Sequence, residues 1–407
     1  MHTLFDASTI ADTWLIAALW MGLALVASLL AIRIKISAAL VEIVLGTIAG
    51  NLIALRSNTW IDFIAGFGSI MLTFLAGAEI DPAVMRRQWR PAVAIGLVSF
   101  FFPFLAAMAF TRLFDHWSVD AAKIAGIAMS TTSVAVVYAV MVESGLAGNN
   151  FGQLILAACF VTDLGTVVAL GLLFASYNVW LILFVIVTAL AAMIAPRFLP
   201  SVFSNLGDRV SEPGARLLFV IIFGLSGLAT LAKSEGVLPA YIMGFACAGF
   251  LLSHRDFARR LRMITMSMLA PFYFVKAGTF ISLAQALAGI KTIAILFTIK
   301  VLAKIAGVWP TARAYHFGAT DATYLTLMMA TGLTFGTISS LYGLTHHLID
   351  QAQYTALVTV VILTAIVPTL IAQKLFPPTE EVLEAESGGL GEIEIPPSQL
   401  PPRKDLH

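Results

Sequence analysis

Thirteen apolar runs of membrane-spanning length follow one another along the chain, at roughly 12–32, 37–55, 60–80, 91–114, 123–143, 151–175, 178–199, 214–233, 237–252, 264–286, 290–312, 321–343 and 352–375. A bilayer core about 30 Å thick is crossed by about 20 apolar residues in a helix, whereas a barrel strand needs only about ten and alternates in polarity. None of these runs alternates, so the pattern predicts an all-α polytopic membrane protein. The ninth run is the shortest. Two runs are broken at their centres by small and hydroxylated residues. The fifth contains AMSTTSVAVVYAVMVESG (128–145) and the twelfth MMATGLTFGTISSLYG (328–343). Each is followed by one further long span, and alternation makes the two cross in opposite directions. Paired interrupted helices of opposite direction point to an inverted-repeat transporter with its site near the midplane.

Composition supports the same solvent. Of the 407 residues, 59% are hydrophobic and 12% charged, with a mean hydropathy of +0.92. A soluble domain carries about 25% charged residues. The net charge of +1 gives no basic surface for nucleic acid. Lys and Arg are unevenly shared among the loops. Sixteen of the 24 fall on one set of sides, from Arg33 and Lys35 through Arg255, Arg259, Arg260 and Arg262 to Lys404, and five on the other. The richer set is expected to be cytoplasmic, with the N-terminus outside and the C-terminus inside. The N-terminal residues carry Asp6 and Asp12 rather than a basic leader, so the first run reads as a retained helix. Cys159 and Cys247 lie in apolar runs and read as small buried hydrophobes. Residues 377–407, rich in Pro and Glu, predict a disordered cytoplasmic tail too short for a folded nucleotide-binding regulatory domain.

Chemistry is expected where polar groups stand in lipid-depth positions. Asp163 lies about twelve residues into the sixth span, in ACFVTDLGTVV, with no charged neighbour in sequence. A mid-membrane carboxylate costs several kcal/mol unless it faces a partner or a watered cavity. It could merely bond neighbouring helix ends, but a neutral residue would do that at lower cost. A carboxylate that binds a cation and a proton in turn explains the charge. At the same depth stand Ser130, Thr131, Thr132 and Ser133. A lone hydroxyl satisfies its own helix. Four together predict an unwound segment whose hydroxyl and carbonyl oxygens suit a dehydrated monovalent cation. Three lysines also lie inside spans: Lys276 in PFYFVKAGTF, and Lys300 and Lys304 four residues apart on one helix face in TIKVLAKIAGVWP. Each is a candidate to neutralise Asp163 or the broken helix ends, and the residues alone do not choose among them. Glu42 and Glu79 are expected to serve local structure, and His346 and His347 to be solvated.

The stretches ALVEIVLGTIAGN (39–51), MLTFLAGAEID (71–81), AMSTTSVAV (128–136), FVTDLGTV (160–167), PFYFVKAGTFISL (271–283) and KIAGVWPTAR (304–313) occur in this order over residues 10–375. The ordered set resembles the cation:proton antiporter-2 family of bacterial Na⁺/H⁺ and K⁺/H⁺ antiporters. That resemblance implies the sodium/proton antiporter fold, with two unwound, crossed helices and a homodimer in the bacterial inner membrane. It implies scaffold and dimerisation helices at 1–90, a core transport domain from 91–176 and 290–376, and scaffold and linking helices at 177–289. The substrates would be a monovalent cation and a proton, with no cofactor. The family's ion-binding Asp falls on Asp163 and its unwound-helix hydroxyl on Thr132, which would hold Na⁺ or K⁺ transiently, with Thr131, Ser133 and Thr162 beside them. Its core-domain Lys falls on Lys304, ahead of Lys300 and Lys276.

Two departures from the family pattern matter. Thr162 stands where some members have a second acid, which argues for electroneutral exchange. ATGLTFG (330–336) stands where many have Arg or Glu, which leaves Na⁺ and K⁺ both open. A channel would be expected to carry a filter-like segment, and an integral-membrane enzyme a catalytic set such as paired His and Asp at interface depth. Neither pattern occurs in the sequence.

Overall fold

The computed structural model describes residues 10–34, 37–78, 82–144, 146, 149–174, 179–206, 212–232 and 236–378. Residues 379–407 of the expected tail, and Glu79, lie outside them. The helices are α1 (Ile10–Ile34), α2 (Ala38–Leu52), α3 (Thr59–Ala78), α4 (Pro82–Leu113), α5 (Val119–Ser130), α6 (Val134–Glu143), α7 (Asn150–Leu173), α8 (Val179–Leu206), α9 (Pro213–Leu231), α10 (Val237–Ser253), α11 (Arg255–Ile264), α12 (Ala270–Thr279), α13 (Leu283–Ala288), α14 (Ile290–Ala314), α15 (Ala319–Met329), α16 (Thr334–Thr345) and α17 (Gln351–Leu375). No strand occurs among the described residues. Nine stretches among them are long and apolar enough to cross a bilayer, and α2 and α10 are shorter apolar helices.

Every expected apolar run has a helical counterpart. The fifth is split into α5 and α6, and the twelfth into α15 and α16. The tenth differs from the expected single span of 264–286. There, the amphipathic α11 runs into a π-helical turn, Thr265–Leu269, before α12 begins. Pro271 explains the change of winding, since it has no backbone N–H to continue the α ladder. After α12 the chain turns through Ile281 N–H bonded to Gly278 O, and the Ser282 hydroxyl caps α13 by accepting from Gln285 N.

Two packing groups hold the helices. In one, α2 lies against α12 and α3 against α10, with α8 and α9 packed on α10. Small residues permit this: a Cβ at Gly46 would strike the backbone of Val275, and one at Gly278 the backbone of Ile43. Close approach through glycine is how membrane helices gain packing without a hydrophobic drive. In the other group α4 packs on α5, α7 and α14, and α17 on α14, α15 and α16. One apolar cluster, from Ile95 and Val137 through Leu154 and Val308 to Met329, lies inside this second group. Another, including Phe74, Leu218, Leu225 and Met243, lies inside the first.

Candidate functional site

The two interrupted helices break at matching places. The helix of α5 ends at Ser130, Thr131 is extended, residues 131–133 are non-helical, and α6 restarts at Val134. α15 ends at Met329, residues 331–333 are non-helical, and α16 restarts at Thr334. The breaks lie against each other. The Ser133 backbone N–H donates to Thr331 O at 3.2 Å, and the Thr132 hydroxyl donates to Met329 O at 2.9 Å. Two helix C-termini, α5 and α15, and two N-termini, α6 and α16, therefore meet in the interior. Their partial charges of about half an electron are not screened by water there.

The hydroxyls divide their work. Ser130 Oγ donates to Ile127 O and Thr131 Oγ1 to Ala128 O, each closing the last turn of its own helix. Ser133 Oγ accepts the Val136 N–H at the start of α6. Of the four, Thr132 alone has a hydroxyl bond to the opposite break. All four are essentially without solvent exposure.

Asp163 is carried by α7, which packs on α5, α15 and α16. One turn earlier on the same face, Cys159 Sγ lies 3.7 Å from Met329 Sδ, so this face of α7 looks at the second break. Asp163 is 1% exposed, and its Oδ1 has no hydrogen-bond partner among the described residues. A buried carboxylate oxygen without a donor is costly. Its neighbour Thr162 points elsewhere: its hydroxyl bonds Ala158 O at 3.0 Å and Gly96 O at 3.4 Å.

The three lysines have three different surroundings. Lys304 Nζ donates to Ser99 Oγ at 2.7 Å, Ser130 O at 2.8 Å and Thr132 Oγ1 at 3.2 Å. It caps the C-terminus of α5 and holds the bridging hydroxyl. It makes no ion pair with Asp163. Lys300, one turn earlier on α14, is fully buried, and its Nζ has no hydrogen-bond partner among the described residues. Lys276 lies apart from both. Its Nζ pairs with Asp62 Oδ1 at 2.7 Å, with the side chains 12% and 48% exposed. An ammonium that is already paired near water is not available to the crossing.

Sequence reasoning missed Ser99 and Tyr241. Ser99 is a single hydroxyl in an apolar run, which ordinarily satisfies its own helix. Tyr241, on α10, donates its hydroxyl to Phe160 O at 3.1 Å and stacks on the Phe160 ring, with Phe335 of α16 at its edge. Both depend on contacts more than 80 residues apart in the chain, and no local pattern carries them. Glu42 is buried on α2, which packs on α1 and α12, and His346 and His347 are exposed.

The profile of the family described as "Sodium/hydrogen exchanger, transmembrane" matches residues 21–376. A Na(+)/H(+) antiporter of Enterococcus hirae is 25% identical over 357 residues, covering 83% of this chain and 91% of its own. The Na(+)/H(+)-K(+) antiporter GerN of Bacillus cereus is 22% identical over 366 residues, covering 88% and 94%. Among solved structures, the sodium proton antiporter MjNhaP1 from Methanocaldococcus jannaschii superposes with a TM-score of 0.65 at 16% identity, covering 91% of this chain and 97% of that one. At that identity the likeness establishes the fold.

Proposed function

The chain belongs to the sodium/hydrogen exchanger family of integral membrane proteins, and from that premise we propose that it exchanges one monovalent cation for one proton by alternating access. The observation that carries the reading is Asp163, a buried carboxylate without a donor on Oδ1, facing the crossing of two unwound segments. A proton or a cation satisfies that oxygen, and either one excludes the other. Competition for one carboxylate is the coupling an exchanger requires.

The remaining parts follow from this exchange. Thr132 supplies a hydroxyl oxygen, and the two breaks free backbone carbonyls, so Asp163 and Thr132 hold the cation with Thr131 and Ser133 at its margin; the Thr162 hydroxyl, bonded to Ala158 O and Gly96 O, is turned away from it. Oxygen donors of this kind suit Na⁺ or K⁺. Na⁺ is the favoured substrate, after the Enterococcus relative. K⁺ is the second reading, favoured by the Bacillus cereus relative's name. Lys304 neutralises the C-terminal end of α5 and stays protonated through the cycle. One titrating carboxylate beside Thr162 then carries one proton per cation, so no net charge crosses. The group built on α4–α7 and α14–α17 moves as the transport core against a scaffold of the remaining helices. Two chains form a homodimer in a bacterial inner membrane, with the N-terminus outside and the C-terminus cytoplasmic.

The test is dequenching of a pH-sensitive dye in everted vesicles on addition of Na⁺, K⁺ or Li⁺ in turn. Dequenching by at least one of them is expected. In proteoliposomes, flux should require a proton or cation on the far side. Cation flux that runs without a counter-ion would identify a channel and overturn the proposal.

A further inference from the structure

Lys300 has no role in the exchange described above. It sits on the same face of α14 as Lys304, one turn earlier, and is fully buried with no hydrogen-bond partner for its Nζ among the described residues. Its surroundings are nonetheless specific. A Cβ built on Gly332 would collide with Lys300 Nζ and would lie 3.0 Å from Thr131 Oγ1. The ammonium therefore occupies the space that a side chain at 332 would need, inside the second break and next to a hydroxyl of the first.

The two lysines and the two breaks form a repeated arrangement. Lys304 stands at the end of α5 and donates to its last carbonyl, Ser130 O. Lys300 stands at the end of α15, beside the break that follows Met329. There the hydrogen bonds are already taken: Met329 O accepts from Thr132, and Thr331 O from Ser133 N–H. Lys300 Nζ stands beside this helix end and makes no hydrogen bond to it. Helix C-termini favour a cation within the last turn. The same space is bordered by Thr131 Oγ1, at the margin of the site that would hold the transported ion, and like charges in a low-dielectric interior repel over many ångströms.

We propose that Lys300 is a positioning and affinity-setting residue of the transport site, a tethered cation at the second break that opposes binding of the transported one. It keeps the crossing from holding a second ion and sets the cation concentration at which exchange is half-maximal. The inference rests on the antiport reading and assigns Lys300 a task separate from that of Lys304. Gly332 belongs to the same device, because a Cβ there would push the ammonium from the place it holds.

The experiment is cation-dependent exchange by the full chain in proteoliposomes, comparing unsubstituted protein with Lys300→Met and Lys300→Arg. Lys300→Met should lower the half-maximal cation concentration about tenfold, with a much smaller change in maximal rate. Lys300→Arg, which keeps the charge, should stay within about twofold of the unsubstituted value. Should Lys300→Met fail to fold, Lys300→Gln carries the same prediction. Gly332→Ala supplies a second readout in detergent: a lowered melting temperature that Lys300→Ala in the same chain restores. An unchanged half-maximal concentration in a folded neutral variant would overturn the proposal, as would a Gly332→Ala defect indifferent to residue 300. Absence of exchange in the unsubstituted protein would instead count against antiport itself.

Discussion

At the first break the chain reads Ser130-Thr131-Thr132-Ser133, and at the second Ala330-Thr331-Gly332-Leu333. The first is dense with hydroxyls. Three of them tie off the ends of α5 and α6, and the fourth, Thr132, crosses to Met329 O. Its lysine, Lys304, has a full set of acceptors. The second break is bare by comparison. It offers a glycine where a side chain would be, and its lysine has no hydrogen bond. The same problem, a helix end without water, is solved at the first break by its own hydroxyls and a bonded lysine, and at the second by the Thr331 hydroxyl and by bonds received from the first break. What the second break leaves short of partners is its lysine.

The comparison can be broken most severely at Asp163. Asp163→Asn keeps the shape and cannot titrate, so exchange should vanish while the protein still inserts and purifies as a single species. Near-normal cation-dependent proton movement in that variant would remove Asp163 from the site. Lys304→Met comes next. It strips the donor from Ser99, Ser130 O and Thr132, and each buried acceptor left without a donor costs about 1–3 kcal/mol. A marked fall in melting temperature is expected, together with loss of exchange. An unchanged melting curve would mean that the first break does not depend on its lysine.

A milder change sharpens the division within the hydroxyl cluster. Thr132→Val deletes the one hydroxyl that bridges the breaks, and should raise the half-maximal cation concentration about three- to tenfold with a smaller effect on maximal rate. Equal dependence on Na⁺, K⁺ and Li⁺ concentration before and after the change would deny it a ligand role. The smallest effect belongs to Lys276→Gln. Its partner Asp62 is half exposed, and such pairs contribute about 0–1 kcal/mol. Exchange should stay within about twofold; a loss as deep as that of Asp163→Asn would return Lys276 to the site.

How much of this could be read in advance follows from how local each feature is. The helical runs were legible because apolar length is a local property, and the two interruptions because hydroxyls and glycine cluster inside them. Asp163 was legible as a charge that lipid should have excluded. The winding change before Pro271 was not, since the run around it stays apolar through 264–286. The lysines show the limit most plainly. Lys276, Lys300 and Lys304 look alike in sequence, and what separates them is Asp62, Gly332 and Ser130, residues brought close by folding. The sequence leaves Lys304 open between Asp163 and a broken helix end, and in the fold its ammonium is bonded at the end of α5, to Ser99, Ser130 and Thr132.

The account turns on one carboxylate alternating between one proton and one cation, and its most direct test is transport under voltage. Purified protein in liposomes, at equal pH on both sides, is given an imposed membrane potential of about 100 mV, worth about 2.3 kcal/mol for each charge moved. One-for-one exchange moves no net charge, so the potential should build no gradient of Na⁺ or K⁺. A cation gradient that settles at a value set by the potential would show that a second proton travels, and would contradict the assignment of exchange to Asp163 alone.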